Sequence, residues 1–108
     1  MLKEIISRCS ELDIYEKRCS TFGYYEIVFY SKDTDRWNVI FAEILGNAIK
    51  PAGKKPTECD LRLTKSHNGI RENQTLFKKE FKNATVIAMF WPWENGIFTT
   101  LKVAVLDK

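Results

Sequence analysis

Residues 85–106 read TVIAMFWPWENGIFTTLKVAVL. Two runs dominated by β-branched and aromatic residues, 85–93 and 97–106, flank Asn95-Gly96, a dipeptide that tolerates positive φ and favours a type I′ hairpin turn. A two-residue loop sets the register. Trp93 falls opposite Phe98, Trp91 opposite Thr100, Phe90 opposite Leu101, Ala88 opposite Val103 and Val86 opposite Val105. One face is then Val86, Ala88, Phe90, Leu101, Val103 and Val105, wholly apolar and therefore core. The other sets Ile87, Met89, Trp91 and Trp93 against Ala104, Lys102, Thr100 and Phe98, apolar on one strand and mixed on its partner; it is either an exposed aromatic face or one that a helix covers, with the indoles in the core. Pro92 has no N–H for a ladder, so the stretch near the turn is expected to be an edge, a bulge or a bend.

Working outward, residues 24–30 and 37–45 carry the same β-branched and aromatic character. They predict a second hairpin across the polar run 31–36. Asp33 and Asp35 in that run lack the glycine and distal glutamate of a calcium loop and read as turn chemistry. At the start of the chain, Leu2, Ile5, Ile6, Cys9 and Leu12 recur at helical spacing, and extending the stripe to Tyr15 and Cys19 predicts an amphipathic helix over 2–19. Residues 46–56 hold two prolines, two glycines and three lysines and read as a basic loop. A short strand is expected over 61–65, a turn at His67-Asn68-Gly69, and a short helix over 75–82 capped by Asn73 or Thr75. The sum is an α+β protein: a mainly antiparallel sheet of about five strands, an N-terminal amphipathic helix and one short second helix.

The length, 108 residues with 44% apolar and 13% aromatic, is that of a single domain, 1–108, with enough apolar material for its own core. No stretch approaches the ~20 apolar residues of a membrane span, and the opening residues lack the apolar run of a secretory signal, so a cytoplasmic location is expected. Three cysteines at wide spacing (Cys9, Cys19, Cys59) form no disulfide framework. The sequons at Asn73 and Asn83 carry no consequence without secretion.

The net charge is +3, but it is unevenly placed. Residues 1–49 hold 6 Lys/Arg against 8 Asp/Glu, whereas residues 50–82 hold 9 against 4. That basic middle third attracts phosphates or acidic partners. Its cations Lys50, Lys54, Lys55 and Arg71, together with Trp91, Trp93, Phe98 and Lys102 of the hairpin, are the candidate binding residues. Exposed aromatics beside cations suit base stacking on single-stranded nucleic acid, and equally suit a protein interface. The run Ala52-Gly53-Lys54-Lys55 is not a nucleotide-hydrolysing phosphate loop: Ala48 stands where a glycine is needed, and Lys55 where Ser or Thr is needed.

Cys59 and His67 form a candidate reactive pair if the fold brings them together. Cys9, Cys19, Cys59 and His67 count to four zinc-type ligands, but no pair has the short spacing that prearranges a site, so neither metal nor cofactor is expected. No carboxylate pair, serine elbow or dinucleotide glycine pattern is present. The functional expectation is a non-enzymatic binding module for a protein or single-stranded nucleic acid. Two alternatives accompany it: a small-molecule binder or small enzyme with a pocket between sheet and helix, with Cys59, His67 or Tyr30 at its mouth, and a homodimer formed through an exposed edge of the aromatic hairpin.

Overall fold

The computed structural model describes residues 2–107. Its frame is one five-stranded sheet, antiparallel throughout, with helices on both faces: the α+β architecture expected. In chain order the elements are α1 (Leu2–Cys9), β1 (Ile14–Ser20), β2 (Tyr24–Tyr30), α2 (Thr34–Leu45), α3 (Glu58–Thr64), β3 (Thr75–Glu80), β4 (Ala84–Pro92) and β5 (Phe98–Asp107). The strands lie in the order β1-β2-β5-β4-β3, so the N-terminal hairpin and the C-terminal meander join where β2 meets β5.

The hairpin of residues 85–106 forms in the expected register, with Val86 opposite Val105, Ala88 opposite Val103, Phe90 opposite Leu101 and Trp91 opposite Thr100. Its turn differs in type. The Gly96 N–H donates to the Trp93 carbonyl (3.1 Å), and Trp93 and Phe98 close a four-residue loop. Gly96 takes φ +71°, but Asn95 keeps an ordinary negative φ, so the turn is not type I′. The pairing survives because both loop lengths centre on the same point between Asn95 and Gly96.

Four expected elements differ. The helix over 2–19 stops at Cys9, and Ile14–Ser20 is an edge strand. β2 would otherwise carry a free backbone edge, and β1 covers it through a ladder with irregularities at Ile14/Glu16 and Lys17/Cys19. The strand expected over 37–45 is helix α2, because Trp37, Ile40, Phe41 and Leu45 share one helical face and all four are buried against the sheet. Packing here overrides the β-propensity of Trp, Val, Ile and Phe. The strand expected over 61–65 is α3, started by a capping box in which Thr57 Oγ1 accepts from the Asp60 N–H (3.1 Å) and the Asp60 carboxylate accepts from the Thr57 N–H (2.9 Å). The helix expected over 75–82 is β3, whose Leu76 and Phe77 are buried on opposite faces. Two-sided burial hides the alternation that marks a half-buried strand. The α-helices therefore number three among the described residues.

The face identified as core holds Val86, Ala88, Phe90, Leu101 and Val103, covered by α1 and α2. The opposite face has its own cluster of Ile87, Met89 and Ala104 with Leu76, roofed by Ile70 and Leu63 from the α3 region. The roof ends part way along the sheet. Among the described residues no helix is long and apolar enough to cross a membrane.

Candidate functional site

Strand register brings the exposed end of the second face together. Tyr30 of β2 pairs with Phe98 of β5, and Phe98 sits across from Trp93; one step along, Val28, Thr100 and Trp91 form the next row, and then Glu26, Lys102 and Met89. The rows run from the open end of the sheet inward: Tyr30, Phe98 and Trp93 are part-exposed, whereas Met89 in the last row belongs to the cluster under the α3 roof. The Trp93 Nε1–H donates to Thr100 Oγ1 (2.8 Å), which holds the indole down along the sheet.

Around Trp93 the rings are contiguous. The Trp93 and Phe98 centroids are 5.2 Å apart, Phe98 and Tyr30 5.7 Å, and Phe98 and Tyr15 4.1 Å. Tyr15 is 51% exposed, and Ile97 beside the cluster is exposed as well. Cations lie over these rings: the Arg18 guanidinium is 5.4 Å from the Trp93 centroid and the Lys32 ammonium 5.7 Å from Tyr30. Further in, Lys102 Nζ stands 3.3 Å from the Trp91 centroid, and burial holds this ammonium below the usual lysine range, with Glu26 pulling the other way. Arg18 also pairs with Glu16 (2.7 Å) and Glu26 (3.6 Å), so the surface mixes both charges.

Of the residues singled out from sequence, Trp91, Trp93, Phe98 and Lys102 therefore share this face. Lys54, Lys55 and Arg71 are exposed on adjoining loops, tied by the Gly53 N–H donating to the Glu72 carbonyl (2.8 Å). Those loops reach the same end of the sheet, since Ala52 and Gly96 line one recess. Lys50 does not belong to any surface. It is fully buried, and its ammonium donates to the carbonyls of Pro51 (3.2 Å), Glu72 (2.8 Å) and Gln74. Tyr15 and Arg18 were not expected at the site, because β1 is polar and reads into the preceding helical stripe; Tyr30 was expected only at the mouth of a pocket, and Lys32 only in a turn.

The pair Cys59 and His67 is not assembled. Cys59 is an exposed thiol in the first turn of α3, lining a shallow recess with Ile49 and Lys78. The His67 ring lies flat on Tyr24 (5.3 Å between centroids, 5° between planes), and no hydrogen bond joins it to Cys59 among the described residues. Neither Tyr30 nor His67 lines that recess. Cys9 is buried, and burial pushes its thiol up to about 12. The aromatic hairpin is not a sheet edge either: β4 and β5 are interior strands, and the edges are β1 and β3. β1 is charged and irregular, and β3 is already bridged at Leu76 by the backbone of Lys50.

His67 makes stability depend on pH. Burial, and secondly the charge of Lys102, lower its pKa below the ordinary value of 6.5. Between the lowered pKa and about 6.5 the unfolded chain binds the extra proton, so stability is complete above that window and falls as pH drops through it. His67→Phe keeps a ring on Tyr24 and removes the titration. Its melting temperature is expected to fall less than that of the parent between about pH 7.5 and about pH 5.5. Equal falls in the two proteins would remove His67 as a source of the dependence.

The class defined by this fold and face is an α+β protein with an antiparallel sheet that presents aromatic rings interleaved with cations. Comparison with protein-family models, with curated proteins and with solved structures gave no match to this chain.

Proposed function

We propose that this chain is a non-enzymatic cytoplasmic module that binds single-stranded nucleic acid on the open end of its sheet. The observation that carries the reading is the contiguous set of rings from Tyr15, Tyr30, Phe98 and Trp93, contributed by both halves of the sheet and flanked by Arg18 and Lys32. Every base has a π-face, so a ring platform accepts successive bases with little sequence preference, while cations beside it follow the phosphates. Lys54 and Lys55, exposed on the loop at the same end of the sheet, offer two further cations to a strand that passes round that end. A protein partner would use the same rings as anchors, but it gains less from flanking lysines and arginines than a polyphosphate does.

Tryptophan fluorescence tests the reading directly. Trp37 is buried in the other face, so a ligand-dependent change reports on Trp91 and Trp93. Titration with mixed-sequence single-stranded DNA or RNA is expected to quench emission saturably, and more weakly as salt rises. Trp93→Ala is expected to cost roughly 1–3 kcal/mol of binding, and Lys54→Ala with Lys55→Ala to lower both affinity and its salt slope. Unchanged affinity in both variants, or no quenching by either nucleic acid, sinks the proposal.

A further inference from the structure

On the opposite side of the same sheet end, a cleft of about 250 Å³ opens between the start of α2, the lysine loop and the hairpin. It runs into a neighbouring recess of about 390 Å³. The two share Thr34, Ala52, Thr75 and Phe90. Phe90 is part of the core and forms an aromatic wall, and Pro92 and Pro51 add flat rings at the rim. A cleft and recess of this order have the size of a small-molecule site.

The polar lining is nearly all uncharged. Thr75, the first residue of β3, is 9% exposed, and its hydroxyl makes no hydrogen bond among the described residues. Unlike the buried Trp37 and Trp91 Nε1 groups, this hydroxyl is not sealed from solvent, so water or a ligand in the cleft can bond it. Ser31 Oγ and Thr99 Oγ1 lie 2.8 Å apart; two hydroxyls sharing one bond retain one proton for an external acceptor. Asn73 borders the cleft, and Asn38 and Asn47 border the recess. Carboxamides supply a donor and an acceptor side by side, the pattern that reads the edge of a nucleobase. Asp35 is the one ionisable group among the described lining residues, so an anionic group such as a phosphate gains nothing inside. Outside, Lys54 and Lys55 follow Ala52 by two and three residues and are exposed.

We infer that this cleft takes the base of a nucleoside monophosphate, with Thr75, Asn73 and the Ser31–Thr99 pair at the base edge and Lys54 and Lys55 meeting the phosphate. The ligand is either a free nucleotide or the terminal nucleotide of a strand; the chemistry at the cleft is the same. The inference does not require the aromatic platform, which lies on the other face of the sheet.

The test is an amide-resolved NMR titration of the full chain with the four ribonucleoside monophosphates, the matching nucleosides, ribose 5-phosphate, and oligonucleotides with and without a 5′-phosphate. At least one monophosphate is expected to shift the amides of Ala52, Thr75 and Thr99, and its nucleoside to shift the same amides with lower affinity. Thr75→Val, which keeps the side-chain shape, is expected to weaken binding of both by about fivefold. Asn73→Ala, at an exposed position that leaves folding untouched, is expected to weaken both as well. Lys54→Ala with Lys55→Ala is expected to weaken the monophosphate by about fivefold and leave the nucleoside unchanged. Tighter binding of the 5′-phosphorylated oligonucleotide at these amides identifies a strand end as the natural ligand; tighter binding of the free monophosphate identifies a nucleotide.

Three results would overturn the inference: no shift at about 5 mM of any monophosphate, ribose 5-phosphate binding as tightly as the best nucleotide, or shifts confined to Tyr15, Trp93 and Phe98. The last of these would leave the platform reading standing, while shifts at the cleft amides without quenching of tryptophan by nucleic acid separate the two in the other direction.

Discussion

Trp37→Ala is expected to destabilise the protein by about 3–5 kcal/mol. Trp37 is fully buried at the start of α2, its ring stacked on Phe29 of β2 with centroids 4.8 Å apart and planes 14° from parallel. Truncation removes one of the four side chains that dock this helix on the sheet and leaves a cavity beside Phe29, which is held, like Phe41, in edge-to-face contact with Phe90 and has little freedom to collapse. A domain of this size has roughly 5–15 kcal/mol in hand, so the loss is a large fraction of the whole. Trp37→Phe separates packing from chemistry. The Trp37 Nε1–H is buried without a partner, and phenylalanine removes that donor while keeping a ring against Phe29. Its cost is expected to be much smaller than that of alanine. Urea denaturation of the three proteins measures both differences. An alanine variant within about 1 kcal/mol of the parent would mean that α2 is not anchored here.

The second large effect is expected at Lys50. Lys50→Met is expected to cost about 2–4 kcal/mol, although the surface it removes is nil and the side-chain volume is nearly kept. The ammonium donates to three carbonyls, of which two have a second donor: the Lys54 N–H reaches Pro51 O (3.3 Å) and the Gly53 N–H reaches Glu72 O (2.8 Å). The Gln74 carbonyl is the one left with no donor by the change. Lys50→Arg is expected to be damaging too, because a planar fork cannot place its donors on three carbonyls converging on a point. Hydrogen exchange locates the effect. The Gly53 and Leu76 amides, both bonded to this knot, are expected to lose protection before the centre of the sheet does. Parent-like stability in Lys50→Met would show that the two segments hold without the lysine. Because this lysine ties the 50–54 loop to residues 72–76, its loss is also expected to loosen Ala52 at the cleft, while the aromatic platform keeps its geometry.

How much of this was legible in the chain varies with the range of the forces involved. The hairpin of β4 and β5 was legible to the residue, because a short loop fixes register by geometry and each face reads directly from alternation. The four residues it contributes to the candidate site, Trp91, Trp93, Phe98 and Lys102, follow from that register alone. The signal for α2 was also present, since Trp37, Ile40, Phe41 and Leu45 lie at helical spacing, but β-branched and aromatic residues at the same positions argue equally for a strand. No local pattern separates those two readings for a short apolar run. β1 was not legible. Residues 15–18 are exposed, and their strand exists to satisfy the edge of β2, a residue contact made across the chain rather than along it. With β1 misread, Tyr15 and Arg18 were lost from the site, and Tyr30 lost its neighbours. Lys50 shows the opposite failure: composition places a lysine in a glycine- and proline-rich loop at the surface, and the three carbonyls that bury it come from residues 51, 72 and 74.

The sequence by itself determined that this is an α+β protein on an antiparallel sheet, which strands form the last hairpin, and which hairpin face is core. Those properties rest on side-chain alternation and turn geometry, both of which act within a few residues. The tertiary structure alone decided that β5 sits in the middle of the sheet, that the α3 roof stops short of the aromatic rings, and that the lysine loop meets the hairpin at one end. Each of these depends on covering apolar surface and backbone edges with whatever segment can reach them, and burial at that range is settled by the whole chain at once.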